Sequence, residues 1–346
     1  MSASAIAEPG RRAGGAAETL RRLARSPALR VIGRRLLSAI PVLWGVTFLS
    51  YFILNALPGD AASALLGINA TPAEVRAFSI KLGLNEPVWV RYGHWLGSAL
   101  TGNLGTSAAS PQSVASILGQ RLPVTLELVV YALIIAFVVA VPLGVLCARW
   151  PSGVVDKLTA ALSIASLSIA PYVLALVLVI LFAVDLSVFP AIGFTPLTQS
   201  LAGNLRSTTL PSIVLALPLI GFYARFLRGD LVQQMQSEDY IVTARAKGVS
   251  EWRVLTRHAL RNSFIGILTV IGLNLATLVG VTVIIESIFS LPGIGYELLN
   301  AISNRNIPVV EGIVLVFGVI VVLANLATDL LYGVLDPRIR RVRSRS

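Results

Sequence analysis

Charge is scarce in this chain. Only 13% of its 346 residues are Asp, Glu, Lys or Arg, against about 25% in a soluble domain. With 55% hydrophobic residues and a mean hydropathy of +0.79, it has too little polar surface to solvate a water-soluble fold of this length. Cysteine is scarcer still: Cys147 stands alone inside an apolar run, which excludes an intrachain disulfide and a cysteine-based metal site and fits a small buried apolar residue. The two histidines, His94 and His258, do not make a metal-ligand spacing. No GxxxxGK followed by Ser or Thr occurs anywhere, so ATP hydrolysis is not expected of this chain alone. The same poverty of chemical side chains argues against a membrane-embedded enzyme.

What the chain has in abundance is long apolar runs. About 20 apolar residues cross a bilayer core as a helix, and six stretches qualify: Leu36–Leu57, Leu122–Ala148, Leu158–Val184, Leu210–Leu227, Ser263–Phe289 and Val309–Leu335. The fourth is the weakest, interrupted by Pro211, Pro218 and Gly221. Pro41, Pro142 and Pro171 fall inside the first three, where membrane helices tolerate kinks. Residues 1–33 hold Arg11, Arg12, Arg21, Arg22, Arg25 and Arg30 but no apolar run, and read as a flexible basic tail. The first run is too long for a signal-peptide core and reads as an uncleaved span over 34–57. The rest divides into an outside region 58–121, a core 122–336 with an inside loop 228–262, and a basic tail 337–346.

Lys and Arg are retained on the cytoplasmic side of a membrane. With both termini inside, 22 of the 28 basic residues fall inside and 6 outside. The net charge of +11 and pI near 10.5 are then a topological signal, and nucleic-acid binding is an unnecessary hypothesis.

The inside loop reads as two helices around Gly248, which supplies a chain reversal. Ser250 is placed to cap the second helix, with Glu251 at its positive end. Val254, Leu255, His258 and Ala259 can pack on one face while Arg253 and Arg257 stay solvated. Such a pair can simply anchor a loop on the membrane surface; a DNA-reading pair fits poorly with tethering at both ends beside a bilayer. The run Thr243-Ala244-Arg245-Ala246-Lys247-Gly248, followed by Arg257-His258-Ala259-Leu260-Arg261-Asn262, resembles the EAA loop of ABC-importer permeases in its dipeptide and oligopeptide version. Val242 stands where Glu is usual, His258 where Ile is usual, and Arg261 replaces a Pro. Leu57-Pro58-Gly59-Asp60, Gly102 to Ser107, Arg121 to Leu128, Phe289 to Gly295 and Leu335 to Arg340 are similar to the same subunit type, the first permease with a long outer loop.

That resemblance implies an all-α type I importer transmembrane domain of six helices, multi-pass in a prokaryotic plasma membrane. It implies half of a translocation pore for dipeptides or oligopeptides, with haem or nickel chelates as related cargo. The implied partners are a second homologous permease, two cytoplasmic ABC ATPases that carry ATP and Mg, an extracytoplasmic substrate-binding protein and membrane lipid. The implied ATPase contact spans 239–257 and is carried by Asp239, Tyr240, Thr243, Ala244, Lys247, Gly248, Arg253 and Arg257. No cofactor or metal is expected in the chain itself.

Outside, Thr71-Pro72-Ala73-Glu74 reads as a capped helix start, and Trp89, Tyr92, His94 and Trp95 as an interfacial belt or a substrate contact. Within the spans, Glu127, Asp185, Glu286 and Asp329 sit close enough to an interface to be solvated. Asn274, Thr277, Thr282 and Glu286 are candidate pore-lining residues, with polar contact between helices as their other use. An ATP-independent secondary transporter or channel is the rival reading; it requires inverted repeats or midplane charges.

Overall fold

The computed structural model describes residues 27–56, 63, 66, 70–81, 83 and 85–335, so the tail 1–26, the Leu57-Pro58-Gly59-Asp60 motif and residues 336–346 lie outside the described residues. Among the described residues the regular elements are helices, joined by turns and irregular loops, with one isolated antiparallel bridge between Thr106 and Ser113. We number the helices α1 (Pro27–Ala56), α2 (Pro72–Lys81), α3 (Val88–Leu100), α4 (Val114–Arg149), α5 (Val154–Ser168) and α6 (Pro171–Leu178, opening into a π-helical turn over Val179–Asp185). α7 covers Leu201–Ser237 and α8 Asp239–Ala246; α9 runs from Glu251 to Ile288, α10 covers Ile294–Ser303 and α11 Ile307–Leu335. Five helices are long and apolar enough to span a membrane, or six if the bent pair α5–α6 is one span.

Several span boundaries need correction. The described part of α1 begins at Pro27, inside the expected tail, and its segment Gly33–Ala56 is the part long and apolar enough to span. The third span is not one kinked helix but two, bent by 108°. Ile169 and Ala170 are extended, as a residue ahead of proline prefers, and Pro171 opens α6. The fourth span, the weakest by hydropathy, is a helix of 37 residues. Ser200 caps it by accepting from the Gly203 N–H at 3.1 Å, and Pro211 and Pro218 are accommodated within it.

α7 is central. It packs along α4 in the most extensive helix pair and also touches α5, α6 and α9; α11 closes the bundle against α9 and α1. Small residues set the closest crossings. A side chain at Gly221 would meet the Ser163 Cα at 2.8 Å, and one at Gly144 would meet Leu227 Cβ at 3.0 Å. At the α5–α7 crossing Ser163 Oγ donates across the gap to the Gly221 carbonyl at 3.0 Å. In this way polar and small residues mark a helix that faces protein rather than lipid.

Candidate functional site

α8 and the start of α9 form a hairpin projecting from one end of the bundle. Gly248 turns it with φ +76°. The Gly248 N–H donates to Arg245 O at 2.9 Å and the Val249 N–H to Ala244 O at 3.2 Å, the paired bonds of a glycine-terminated helix. Across the turn, Arg245 grips Glu251 with two bonds, Nε to Oε1 at 2.7 Å and Nη2 to Oε2 at 3.0 Å, and its Nη1 donates to the Met235 carbonyl at 3.0 Å. The hydrogen bond to Glu251 raises the Arg245 pKa further above its ordinary value. A second tether centres on buried Gln234, whose Oε1 accepts from the Tyr240 hydroxyl at 2.6 Å and whose Nε2 donates to Ser263 Oγ at 2.8 Å. Partial burial raises the Tyr240 phenol pKa, keeping it a donor. The hairpin is therefore fastened to both α7 and α9.

Ile241, Ala244, Val254, Leu255 and Ala259 pack into the apolar cluster below it. Asp239, Tyr240, Thr243, Lys247, Gly248, Arg253 and Arg257 are exposed, as a contact surface requires. Ala244 is a correction: at 8% exposure it belongs to the packed face and not to the exposed surface. His258 is another, since it is exposed and not on the packed face. The π-helical turn Val254–Ala259 changes the packing period, so Ala259 follows Val254 at five residues and His258 rotates outward. Ser250 occupies the cap position with extended backbone, but its side chain makes no cap bond. Sequence reasoning missed the Arg245–Glu251 grip and two exposed apolar side chains, Val242 and Trp252, set among the arginines. The charge pair six residues apart across a helix-ending glycine was the available signal.

The four pore candidates do not share one open surface. Thr277 is exposed and Asn274 half-buried, its Nδ2 donating to Val270 O at 2.8 Å. Thr282 is fully buried and donates to Val279 O at 2.7 Å, and Glu286 is also fully buried. The expectation that Glu286 is solvated at an interface is therefore corrected. Its Oε1 accepts from Thr125 Oγ1 at 2.7 Å and its Oε2 from the Tyr296 N–H at 3.0 Å, while Thr125 in turn accepts from the Ile294 N–H at 2.9 Å. A Cβ on Gly293 or Gly295 would collide with this carboxylate or the α9 backbone. The Gly293-Ile294-Gly295 turn is shaped to wrap a buried acid, which joins α4, α9 and α10.

Residues 140–341 match the family described as binding-protein-dependent transport system inner membrane component, and residues 28–129 match the N-terminal family of such membrane components. The chain belongs to this family. It is a permease, multi-pass in the inner membrane of a prokaryote. A peptide transport system permease protein of Brucella abortus (strain 2308) is 40% identical over 310 residues, 90% of this chain and 98% of the relative. A peptide ABC transporter permease of Sinorhizobium fredii is 38% identical over 89% and 98%. The oligopeptide transport system permease AppB of Bacillus subtilis is 35% identical over 88% and 98%. The MetNI methionine ABC transporter, solved in inward-facing conformations, aligns with a TM-score of 0.50 at 17% identity, covering 64% of this chain and 97% of that one. That likeness establishes the importer-permease fold.

At the end of the permease opposite the hairpin, Thr71 and Glu74 cap α2 reciprocally: the Thr71 N–H donates to Glu74 Oε2 at 2.8 Å and the Glu74 N–H to Thr71 Oγ1 at 3.3 Å. These bonds hold the Glu74 pKa below the usual carboxylate value. Tyr92 is neither belt nor open contact. It is 6% exposed, edge-on to Phe48 and Tyr51, with its hydroxyl 3.0 Å from Thr47 Oγ1, and fixes α3 to α1. Trp89 and His94 remain exposed. A further intramembrane acid, Glu311, went unread at the start of the sixth span; it is fully buried and accepts from Ser50 Oγ at 2.9 Å. At the hairpin end, Asp156 in the first turn of α5 accepts from the Ser152 N–H at 2.8 Å and takes two bonds from Arg228, at 2.8 and 2.7 Å, pinning α5 to α7. Asp329 pairs with Arg35, joining α11 to α1.

Proposed function

We propose that this permease forms half of the translocation pore of an ATP-driven peptide importer, its hairpin docked on a cytoplasmic ATPase. The reading rests above all on one observation: α9 runs without a chain break from Glu251, at the hairpin tip, through the span to Ile288. A displacement at the tip is thereby delivered to the transmembrane bundle as motion of one rigid element, through the Gln234 and Arg245 tethers to α7 as well. The exposed face formed by Asp239, Tyr240, Thr243, Lys247, Arg253 and Arg257, with Val242 and Trp252 among them, offers cations and apolar surface to a groove of a partner. Its partners are a second homologous permease, two ATPase subunits that bind ATP and Mg, and an extracytoplasmic binding protein that delivers the cargo. Both termini lie in the cytoplasm, in accord with the distribution of Lys and Arg. Peptide as cargo is supported by the names of the relatives at 35–40% identity.

ATP-driven closure of the ATPases draws the two hairpins together and opens the pore to the outside; hydrolysis reverses it. The test is affinity purification of the tagged chain, followed by reconstitution into vesicles. Recovery with a second permease and ATPases, and peptide uptake that requires ATP, is the expected result. Uptake by the chain alone under an ion gradient would refute it.

A further inference from the structure

At the end of the molecule away from the hairpin, the loop between α6 and α7 lines an open concavity of about 630 Å³, within the roughly 300–1,000 Å³ range of small-ligand sites, with Arg206 exposed at its wall. Its walls include Val188, Phe189, Phe194, Thr195, Arg206 and Ser207. The loop wall is held in place by buried polar groups. Asn204, 2% exposed, donates from Nδ2 to Thr195 O at 2.9 Å and to Glu127 Oε1 at 2.6 Å. Ser207, 5% exposed, accepts from the Thr195 N–H at 3.2 Å, and the Gly193 N–H donates to Phe289 O at 3.4 Å. The concavity is thus built into the fold.

Arg206 is the only charged side chain in this lining. It has no ion-pair or hydrogen-bond partner among the described residues, whereas Arg35, Arg121, Arg228 and Arg245 each face an acid. α7, with 37 residues, is about 55 Å long and exceeds the roughly 30 Å hydrocarbon core, and Arg206 lies within its first two turns. A free guanidinium beside apolar rings and hydroxyl groups is complementary to a carboxylate attached to a short amphipathic molecule.

We propose that this cavity is a subsite for the C-terminal residue of a peptide in transit, with Arg206 receiving its α-carboxylate in a bidentate contact. The apolar wall of Val188, Phe189 and Phe194 takes the terminal side chain, and Thr195 faces its backbone. The assignment rests on the peptide-importer reading.

The test uses the reconstituted complex with its binding protein saturated, in turn, by a transported peptide and by the same peptide amidated at its C-terminus, so that the binding protein's own preference is removed. Wild type should transport the free acid faster. In Arg206→Gln, uptake of the free acid should fall by about tenfold or more, the loss expected of one charge-assisted bidentate contact. Uptake of the amide should fall far less, and Arg206→Lys should recover part of the difference. Equal slowing of both peptides, unchanged uptake of both, or a loss of binding-protein affinity without a change in selectivity overturns the subsite while leaving the importer intact. A wild-type complex that moves no peptide at all overturns the importer reading, and the subsite with it.

Discussion

Replacing Gly248 separates backbone geometry from packing. Its φ of +76° lies in the left-handed region, and a Cβ built there meets nothing within 4 Å. Any penalty is therefore conformational. A non-glycine residue in that region costs about 1–2 kcal/mol, less for Asn, whose short side chain tolerates it, and more for a β-branched residue. We expect hairpin function in the order Gly, Asn, Ala, Val. A penalty of about 2 kcal/mol lowers the population of the closed hairpin roughly 30-fold relative to its opened forms, and the two bonds of the Arg245–Glu251 pair cannot restore it, because an exposed pair is worth only about 0–1 kcal/mol. The assay is ATP-dependent uptake together with recovery of the ATPases on the tagged permease. Loss of both in Gly248→Val, with normal insertion and near-normal behaviour of Gly248→Asn, supports the reasoning. Equal defects in Asn and Val, or a fully active Val variant, would refute it.

Gly293→Ala should destabilise the permease by about 1–3 kcal/mol, as overpacking does, because the added methyl meets a Glu286 carboxylate held by Thr125 and Tyr296; a fluorescence-detected melting curve in detergent should shift down by several degrees. Asp156→Asn should weaken the α5–α7 contact by about 1–2 kcal/mol, discounted from the usual value of charged hydrogen bonds because Arg228 is a third exposed. In combination with Arg228→Gln the melting-point loss should be smaller than the sum of the single changes; strict additivity would mean that the pair contributes nothing.

The spans that face lipid were readable from hydropathy, because lipid contact demands unbroken apolar runs. α7 was the least readable for the converse reason. Pro211, Pro218 and Gly221 interrupt its apolar run, and its Asn204, Ser207, Thr208 and Ser212 are polar residues buried inside the bundle. Pro171 announced an interruption, but the 108° bend depends on the extended backbone of Ile169 and Ala170, which composition does not encode. The hairpin was legible through Gly248, whose conformational need is local. The outward turn of His258 was not, because it follows from the π-helical turn that departs from the period of an ideal helix. Glu286 looked like a pore candidate only because its partners, Thr125 and the 294–296 backbone, arrive from distant parts of the chain.

The account depends on the hairpin lying on the cytoplasmic face of the membrane, and cysteine labelling tests this directly. The single native thiol, Cys147, is 1% exposed and gives little background. A thiol introduced by Lys247→Cys, at an exposed position, should resist a membrane-impermeant maleimide in intact cells and react once the membrane is opened. One introduced by Leu100→Cys, exposed at 82% on the opposite end, should react in intact cells. Labelling of the residue-247 thiol from outside sealed cells would contradict the orientation and the coupling role derived from it.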